Sequence, residues 1–433
     1  MEPETIIEYR APGELTLPAR ATRTHSRKQI AKLLESIRQF GFRNPIIISA
    51  NNEVVCGAAR LEAAKQAGLN RVPVICAADL TPAQLRAYRL ADNRIAEDAV
   101  WDERNLKLEF DEIIELQQPH DIDLTITGFE TPELDRLMID PEPAATESLP
   151  DPGDVIAVNR PGDVWQVGSH RLICGDARDE AVMTQLVDGR QVRMSFTDPP
   201  YNVRVPGNVS GLGRHHHPDF AMASGEMDRE AYVAFLTTVF ERMAAVAMDG
   251  ALHYVCMDWR HIREVVEAGM AVFTELKNIA IWRKTNAGMG SLYRSQHEMI
   301  PLFKQGTAAH VNNVALGQHG RNRTNVWDYP GYAGFHRDRA EALETHPTVK
   351  PVALVLDAIR DCSNRGDNIL DPFGGSGTTL IAAERAGRQA LLAEIDPHYA
   401  DVILARWVAE TGQEPFFEDT GIFRQELARE RAE

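Results

Sequence analysis

Two short segments of this 433-residue chain combine strand-like apolar runs with residues that could do chemistry. The first is FTDPPYN, residues 196–202. Here an alternating apolar run is followed by Asp198, Pro199, Pro200 and Tyr201. Proline has no N–H and a fixed φ, and it pushes the preceding residue towards extended geometry. The segment is therefore predicted to be stiff, rich in hydrogen-bond acceptors and poor in donors.

The second segment is ILDPFGGSGTT, residues 369–379, a predicted strand followed by a glycine-rich turn and the start of a helix. Glycines let a backbone approach a ligand closely, and a helix N-terminus favours negative charge. About twenty residues later the next predicted strand ends in Glu394 and Asp396, where a carboxylate can accept hydrogen bonds from both hydroxyls of a ribose. Together these features predict a site for a nucleoside-containing cofactor.

The glycine turn lacks the G-x-G-x-x-G spacing of dinucleotide sites. A cofactor without a pyrophosphate suits it better. S-adenosylmethionine qualifies, because its amino-acid end needs short polar partners and its adenosine needs the acidic strand end. The five cysteines are scattered without a C-x-x-C pair, so neither a zinc site nor a disulfide framework is indicated. We therefore expect S-adenosylmethionine as the cofactor and no metal.

Three motifs in order resemble the amino-group DNA methyltransferases that make N6-methyladenine or N4-methylcytosine. They are DPPY at residues 198–201, HPTVKP at 346–351 and DPFGGSGTT at 371–379. The catalytic motif comes first and the cofactor motif last, as in the β arrangement of that family. The resemblance covers residues 155–414 and implies an α/β, Rossmann-like methyltransferase sheet, which agrees with the alternation of strand-like and helical segments there.

The resemblance also implies which residues contact the cofactor. In this sequence they are Asp176, Thr348, Lys350, Asp371, Phe373, Gly374, Gly375, Ser376, Gly377 and Glu394. Glu394 is expected to accept the ribose hydroxyls, Asp176 to lie near the adenine, and Lys350 to pair with the methionine carboxylate. Asp176 as the cap of a turn and Lys350 as a surface residue are the plainer alternatives.

The DPPY segment has a chemical use in such an enzyme. An exocyclic amine of a base is a poor nucleophile, because its lone pair is delocalised into the ring. Acceptors at the Asp198 carboxylate and the Pro199 carbonyl would bind both N–H groups and favour a pyramidal nitrogen. Tyr201 offers a π-face to a base flipped out of the duplex. Direct attack by the amine, without a covalent intermediate, is the expected mechanism.

The net charge of −17 is unevenly distributed. Residues 277–340 hold nine basic and three acidic side chains, and the family keeps target recognition in this region, about 305–345. We predict a footprint for double-stranded DNA here, with a solvated loop face as the alternative. The predicted DNA-binding residues are Arg283, Lys284, Arg321, Arg323 and Arg337.

The N-terminal part resembles the ParB-like domain, expected over residues 14–140. The phosphate-contacting box of that family falls on GAAR, which keeps Gly57 and Arg60 but has alanines between them. The missing charges argue against nucleotide hydrolysis or nuclease activity. A DNA-docking or phosphate-binding module is the favoured role, with an active enzyme and a structural remnant as alternatives.

The remaining organisation follows from composition. Residues 141–154, rich in proline and acidic side chains, are the predicted linker, and residues 415–433 the predicted C-terminal tail. No apolar run is long enough to span a membrane and no signal pattern is seen, so a cytoplasmic protein is expected. A homodimer is left open.

The preferred function is N6-adenine methylation, because Asp rather than Ser precedes PPY at residue 198. The alternatives are N4-cytosine methylation, or a ParB-like regulatory protein whose methylase part only binds. The recognition sequence, and whether the enzyme belongs to a restriction–modification system, stay open.

Overall fold

The computed structural model describes residues 6–116, 123–139, 150, 155–203, 225–285, 287, 292–317, 321–331 and 349–432. The chain divides into two compact units, Met1–Met138 and Ile139–Glu433. The predicted linker at 141–154 lies outside the described residues except for Pro150.

The described residues of the first unit form a four-stranded sheet and five α-helices. Its strands are β1 Ile7–Arg10, β2 Ile46–Ile48, β3 Val54–Cys56 and β4 Val72–Cys76, in the order β1-β4-β2-β3. Its helices are α1 Arg27–Phe40, α2 Ala58–Gln66, α3 Pro82–Ile95, α4 Glu103–Leu116 and α5 Thr131–Met138. Strands β2 and β4 are parallel, and the other pairs are antiparallel.

The helix boundaries in this unit follow from local chemistry. The Ser26 hydroxyl caps α1 by accepting from Gln29 N–H at 3.1 Å, and Gly41, with φ of +76°, ends that helix. Thr81 and Gln84 form a reciprocal capping box at the start of α3. The apolar residues Ile30, Leu33 and Ile37 recur at helical spacing and line the packed face of α1, whereas β1 lies at the sheet edge and is only half-buried.

The second unit is built on a ten-stranded mixed sheet. Its strands are β5 Val164–Val167, β6 His170–Cys174, β7 Val192–Thr197, β8 Ala247–Val255, β9 Glu275–Lys284, β10 His297–Lys304, β11 Val326–Tyr329, β12 Asn368–Asp371, β13 Gln389–Glu394 and β14 Phe416–Phe417. The strand order is β11-β9-β10-β8-β7-β12-β13-β6-β5-β14. The strands from β8 to β6 in this order are mutually parallel, and antiparallel strands flank them.

Helices cover both faces of the parallel centre. They are α6 Glu180–Val187, α7 Arg229–Val246, α8 Ile262–Val272, α9 Val352–Cys362, α10 Thr378–Ala386, α11 Pro397–Thr411 and α12 Arg424–Ala432. One apolar core, around Met194 and Leu392, lies on one face, and a second, around Val192 and Leu391, lies on the other. Central strands are buried on both sides, which is why they are almost continuously apolar. The predicted α/β fold is confirmed.

The C-terminal segment is not a tail. Phe416 and Phe417 pair with β5 at the sheet edge, and α12 follows. The Arg431 side chain reaches back to donate hydrogen bonds to the Asp163 carboxylate, one of them 3.0 Å long. The prediction was wrong because two apolar residues and a charged helix carry too weak a periodic signal.

Candidate active site

The acidic residues singled out in the second unit lie at one edge of its sheet. The carboxyl ends of parallel strands share an edge, and ligands of open α/β sheets bind there. Asp198 follows β7, Asp371 ends the neighbouring β12, and Glu394 ends β13. Asp176 comes two residues after β6, next to β13. The topology therefore brings together residues that are up to 218 positions apart, Asp176 and Glu394.

The DPPY segment is fixed by contacts on both sides. The Tyr201 hydroxyl is 2.8 Å from Asp198 Oδ1, and the Tyr232 hydroxyl of α7 donates to the Pro200 carbonyl at 2.8 Å. Asn202, which has a φ of +52°, anchors the following turn by donating to the Met227 carbonyl at 2.9 Å. Pro199 is buried beside them. The segment is thus held rigid at the strand end, as two prolines lead one to expect.

A cluster of buried charges surrounds Asp198. Lys350 Nζ lies 2.5 Å from Asp198 Oδ2 and 3.2 Å from Glu298 Oε2. Lys284 Nζ lies 2.5 Å from the other Glu298 oxygen, Oε1. The Tyr201 hydroxyl, 3.0 Å from Glu298 Oε2, links the two carboxylates. Glu298, on β10, was not predicted as a site residue from the sequence, since only the fold brings it beside Asp198.

The electrostatics of this cluster follow from burial and pairing. Burial raises the pKa of Asp198, while Lys350 opposes the rise. Burial would also raise the pKa of Glu298, but Lys350 and Lys284 hold it at about 2. Burial would lower the pKa of Lys350, and the two carboxylates reverse that effect and raise it. Lys350 is therefore a buried ammonium, not a surface residue.

The glycine turn is organised around the Asp371 carboxylate. It accepts hydrogen bonds from the Thr197 hydroxyl at 3.1 Å, from the Thr379 hydroxyl at 2.6 Å and from Phe373 N–H at 3.2 Å. Burial raises the pKa of Asp371 to about 7, against these hydrogen bonds. In this structure the Asp371 carboxylate stabilises the glycine turn through hydrogen bonds within the protein.

The glycines of the turn allow close packing on α11. A Cβ on Gly374 would lie 2.9 Å from the Ile403 side chain, and Gly377 adopts a φ of +79° at the start of α10. The buried Arg406 of α11 donates to the Ser376 carbonyl at 3.0 Å and to the Thr378 hydroxyl at 3.2 Å. Arg406 was missed from the sequence, because a buried arginine in an apolar helix has no distinguishing pattern.

Glu394 and Asp176 present carboxylates at neighbouring strand ends. Glu394 accepts from Gly375 N–H at 2.7 Å and from Asp396 N–H at 2.9 Å, and burial raises its pKa to about 7. The Arg178 guanidinium donates to both carboxylate oxygens of Asp176, and despite partial burial this pair lowers the Asp176 pKa. Asp176 also accepts from the Arg178 backbone N–H at 2.9 Å, so it caps a turn as well as lying beside Glu394.

The predicted DNA-contacting arginines have partners inside the fold. Arg321 and Arg323 both contact Asp361 of α9, at 2.6 and 2.7 Å, and both are less than one-fifth exposed. Arg283 pairs with Asp328 at 2.5 Å but is 61% exposed. The excess positive charge counted along residues 277–340 is thus offset by acids from α9. Arg321 and Arg323, which were expected to bind DNA, thus form largely buried ion pairs with α9 in this structure.

Two predicted residues lie outside the described residues, Thr348 and Arg337. The same holds for parts of the region expected to recognise the target, at 318–320 and 332–345. Among the described residues, no group of three or more His, Cys, Asp or Glu side chains is arranged to hold a metal. No helix in the described ranges is both long and apolar enough to cross a membrane.

The GAAR box of the first unit sits at a strand-to-helix turn. Gly57 caps α2 with a φ of +100°, and the Arg60 guanidinium folds back over it. The Arg60 Nε atom is buried and has no hydrogen-bond partner. Burial and the nearby Asp92 raise the pKa of the Cys56 thiol to about 12, so this thiol is un-ionised at neutral pH.

Comparison with known proteins finds a family match within each unit and a third match that spans the boundary between the units. Residues 192–405 match the DNA methylase family of the N6/N4 type, residues 12–93 match the ParB N-terminal domain, and residues 106–161 match the ParB-methyltransferase HTH domain. The last match includes the segment predicted as a linker.

Two curated relatives and one solved structure illustrate the matches. The ParB-like nuclease domain-containing protein YnaK of Escherichia coli (strain K12) is 42% identical over 84 residues, 19% of this chain and 97% of the relative. The type II methyltransferase M.HpaI of Haemophilus parainfluenzae is 24% identical over 257 residues, 55% of this chain and 74% of the relative. The M1.HpyAVI–SAM complex has a TM-score of 0.38 and 18% identity, covering 55% of this chain and 98% of that one.

The second unit is therefore a DNA methyltransferase of the N6/N4 type. Through its N-terminal domain the chain belongs to the ParB-like family, so it joins a ParB-like domain to a DNA methylase.

S-adenosylmethionine is the cofactor of this class of enzyme. The donor set at the sheet edge fits it. Glu394 and Asp176 place carboxylate acceptors at adjacent strand ends, suited to ribose hydroxyls and adenosine, and Phe373 adds an aromatic side chain beside the turn. When bound, this cofactor supplies an electrophilic methyl group.

Proposed function

We propose that this protein methylates the exocyclic N6 of adenine in double-stranded DNA, with S-adenosylmethionine as methyl donor. The observation that carries the proposal is the buried Asp198 carboxylate, held by Tyr201 and Lys350 at the end of β7, beside the glycine turn after β12. An oriented acceptor is what an amine nucleophile needs, since proximity and orientation can supply a large part of a barrier.

The roles of the segment follow from its chemistry. The Asp198 carboxylate and the Pro199 carbonyl accept hydrogen bonds from the target amine and direct its lone pair. As the new N–C bond forms and the methyl–sulfur bond breaks, the amine loses a proton to Asp198 or to water. The Tyr201 ring stacks on the base, which must first leave the duplex at a cost of a few kcal/mol.

Cofactor contacts are assigned to Glu394 at the ribose, Asp176 near the adenine, and the turn formed by Asp371, Phe373, Gly374, Gly375, Ser376 and Gly377. Thr348 is assigned to the methionine end. Among the predicted cations, Arg283 is the exposed candidate for DNA phosphates, although it pairs with Asp328.

The test is to incubate the purified full chain with DNA and methyl-labelled S-adenosylmethionine, digest the product to nucleosides, and identify the labelled base. N6-methyladenine is expected. N4-methylcytosine would support the alternative within the same family, and no labelled nucleoside at all would overturn the proposal. Asp198→Ala should abolish labelling while cofactor binding, measured by calorimetry, persists; near wild-type labelling by this variant would remove Asp198 from its role.

A further inference from the structure

Lys350 forms an ion pair with Asp198, and its ammonium is therefore positioned for this carboxylate rather than for the carboxylate of a ligand. Its ammonium is 2.5 Å from Asp198 Oδ2, 3.2 Å from Glu298 Oε2 and 3.4 Å from the Tyr201 hydroxyl. Only 6% of its side chain is exposed, against 20% for Asp198 and 12% for Glu298. The cation is thus shared between two carboxylates in a site largely closed to water.

Both oxygens of Asp198 are engaged by this arrangement. Tyr201 approaches Oδ1 and Lys350 approaches Oδ2, which fixes the plane of the carboxylate. The single hydroxyl proton of Tyr201 can be donated to Asp198 or to Glu298, but not to both at once. Each oxygen of Asp198 keeps a lone pair for a further donor.

The charges balance only when all four ionisable groups are present. Asp198 and Glu298 contribute two negative charges, while Lys350 and Lys284 contribute two positive ones. A buried carboxylate that loses its counter-ion takes up a proton instead. A protonated Asp198 would offer one oxygen as a donor and could no longer accept from an amine with both.

We propose that Lys350 is the positioning residue that keeps Asp198 an ionised, oriented acceptor, and that Glu298 competes with Asp198 for the same ammonium. This inference rests on the proposed amine methylation by Asp198. It replaces the expected pairing of Lys350 with the methionine carboxylate.

Further titratable side chains of the described residues face Asp198. Tyr201 lies on its own segment, and Cys256 follows β8. Asp371 on β12 and Tyr232 on α7 complete its surroundings among the described residues. The Tyr201, Tyr232 and Cys256 groups stay neutral at neutral pH because burial raises their pKa values, and Asp371 opposes ionisation of Asp198 as Glu298 does. Lys350 is therefore the cation in direct contact with Asp198 in the described part of the site.

The test is the pH dependence of kcat/KM, whose acid limb reports ionisation of an essential carboxylate in the free enzyme. Lys350→Met removes the positive neighbour of Asp198. The acid limb of the kcat/KM profile of this variant should therefore lie at higher pH than that of the wild type. Glu298→Gln removes a negative neighbour, so its acid limb should move to lower pH. Activity at a fixed pH below the displaced limb should fall roughly tenfold for each pH unit of displacement.

The opposite signs distinguish positioning from a merely structural role, since general damage to the site would not shift the two limbs in opposite directions. Lys284→Met serves as the control that removes the same charge. Because Lys284 contacts Glu298, this variant should raise the pH of the acid limb less than Lys350→Met does. Lys350→Arg keeps the charge and should return the limb towards the wild-type position. Shifts in the same direction, or no shift in active variants, would overturn the inference.

If Lys350→Met fails to fold, the downward shift in Glu298→Gln still decides the matter, because that change is isosteric. Its absence would then overturn the inference. Failure of the proposed function is distinct, since it appears as absence of methylation by the wild-type protein.

Discussion

The Thr197 hydroxyl donates a hydrogen bond of 3.1 Å to the Asp371 carboxylate and so joins the end of β7 to the end of β12. The segment proposed to orient the amine follows Thr197, and the turn assigned to the cofactor follows Asp371. A single buried carboxyl group therefore contacts both segments of the candidate site.

This carboxyl group should give the protein a recognisable pH dependence of stability. Its folded-state pKa is raised to about 7, from an ordinary value of 3.8. The stabilisation is fully present below about pH 4 and is lost as the pH rises towards 7, because the unfolded chain releases this proton earlier. Asp371→Asn should flatten the fall in the free energy of unfolding over that window, measured by denaturant titration at several pH values.

Thr379→Val provides the matched comparison, since it removes a hydrogen bond of 2.6 Å from the ionised form. The fall in the free energy of unfolding should then extend to higher pH than in the wild type. Glu394, whose pKa is also raised to about 7, should leave a residual slope in Asp371→Asn. An unchanged slope in both variants would contradict this account.

The ion pairs of Arg323 should contribute to stability rather than to DNA affinity. Arg323→Met leaves Asp361, which is 6% exposed, without one of its cations, and breaking a buried pair costs about 3–5 kcal/mol. Because Arg321 still contacts Asp361 in this variant, the free energy of unfolding, measured by chemical denaturation, should fall by less than that amount. Arg283→Met is the comparison, and it should change stability far less because Arg283 is 61% exposed.

A DNA-binding measurement distinguishes a role of these arginines in contacting DNA from a role in stabilising the fold. Fluorescence titration with duplex DNA over a range of salt concentrations should show a smaller salt slope for Arg283→Met if its charge meets a phosphate. A normal stability together with weak DNA binding in Arg323→Met would restore the role first expected of that residue.

The turn at Gly57 should be intolerant of a side chain. Its φ of +100° strains any other residue by about 1–3 kcal/mol, and a Cβ there would lie 3.0 Å from Arg60 Nε. Gly68→Ala is the control, because Gly68 has a φ of +69° but no atom within 4 Å of a Cβ. Hydrogen exchange of the α2 amides should show a larger loss of protection in Gly57→Ala than in Gly68→Ala. Equal losses would mean that the contact with Arg60 contributes nothing.

Most of the secondary structure near the site was accessible from the sequence. The strands that end at Thr197, Asp371 and Glu394 are short apolar runs bounded by proline or glycine, and such local patterns are sufficient to predict them. Strands β9 and β10 were not predicted as elements, since they alternate irregularly and one contains Pro301. The Glu298 side chain was consequently overlooked as part of the site.

Residue types and their spacing along the chain are sufficient to predict the class of chemistry. Asp198, two prolines and Tyr201 after a strand, with a glycine turn and an acidic strand end in order behind them, are local features of residue type and spacing. Which charged side chains contact one another depends on the fold. Lys350 and Glu298 reach Asp198 from 152 and 100 residues away, and Arg321 and Arg323 turn inwards to α9. Spacing along the chain cannot report such pairings, because strand order and burial set them.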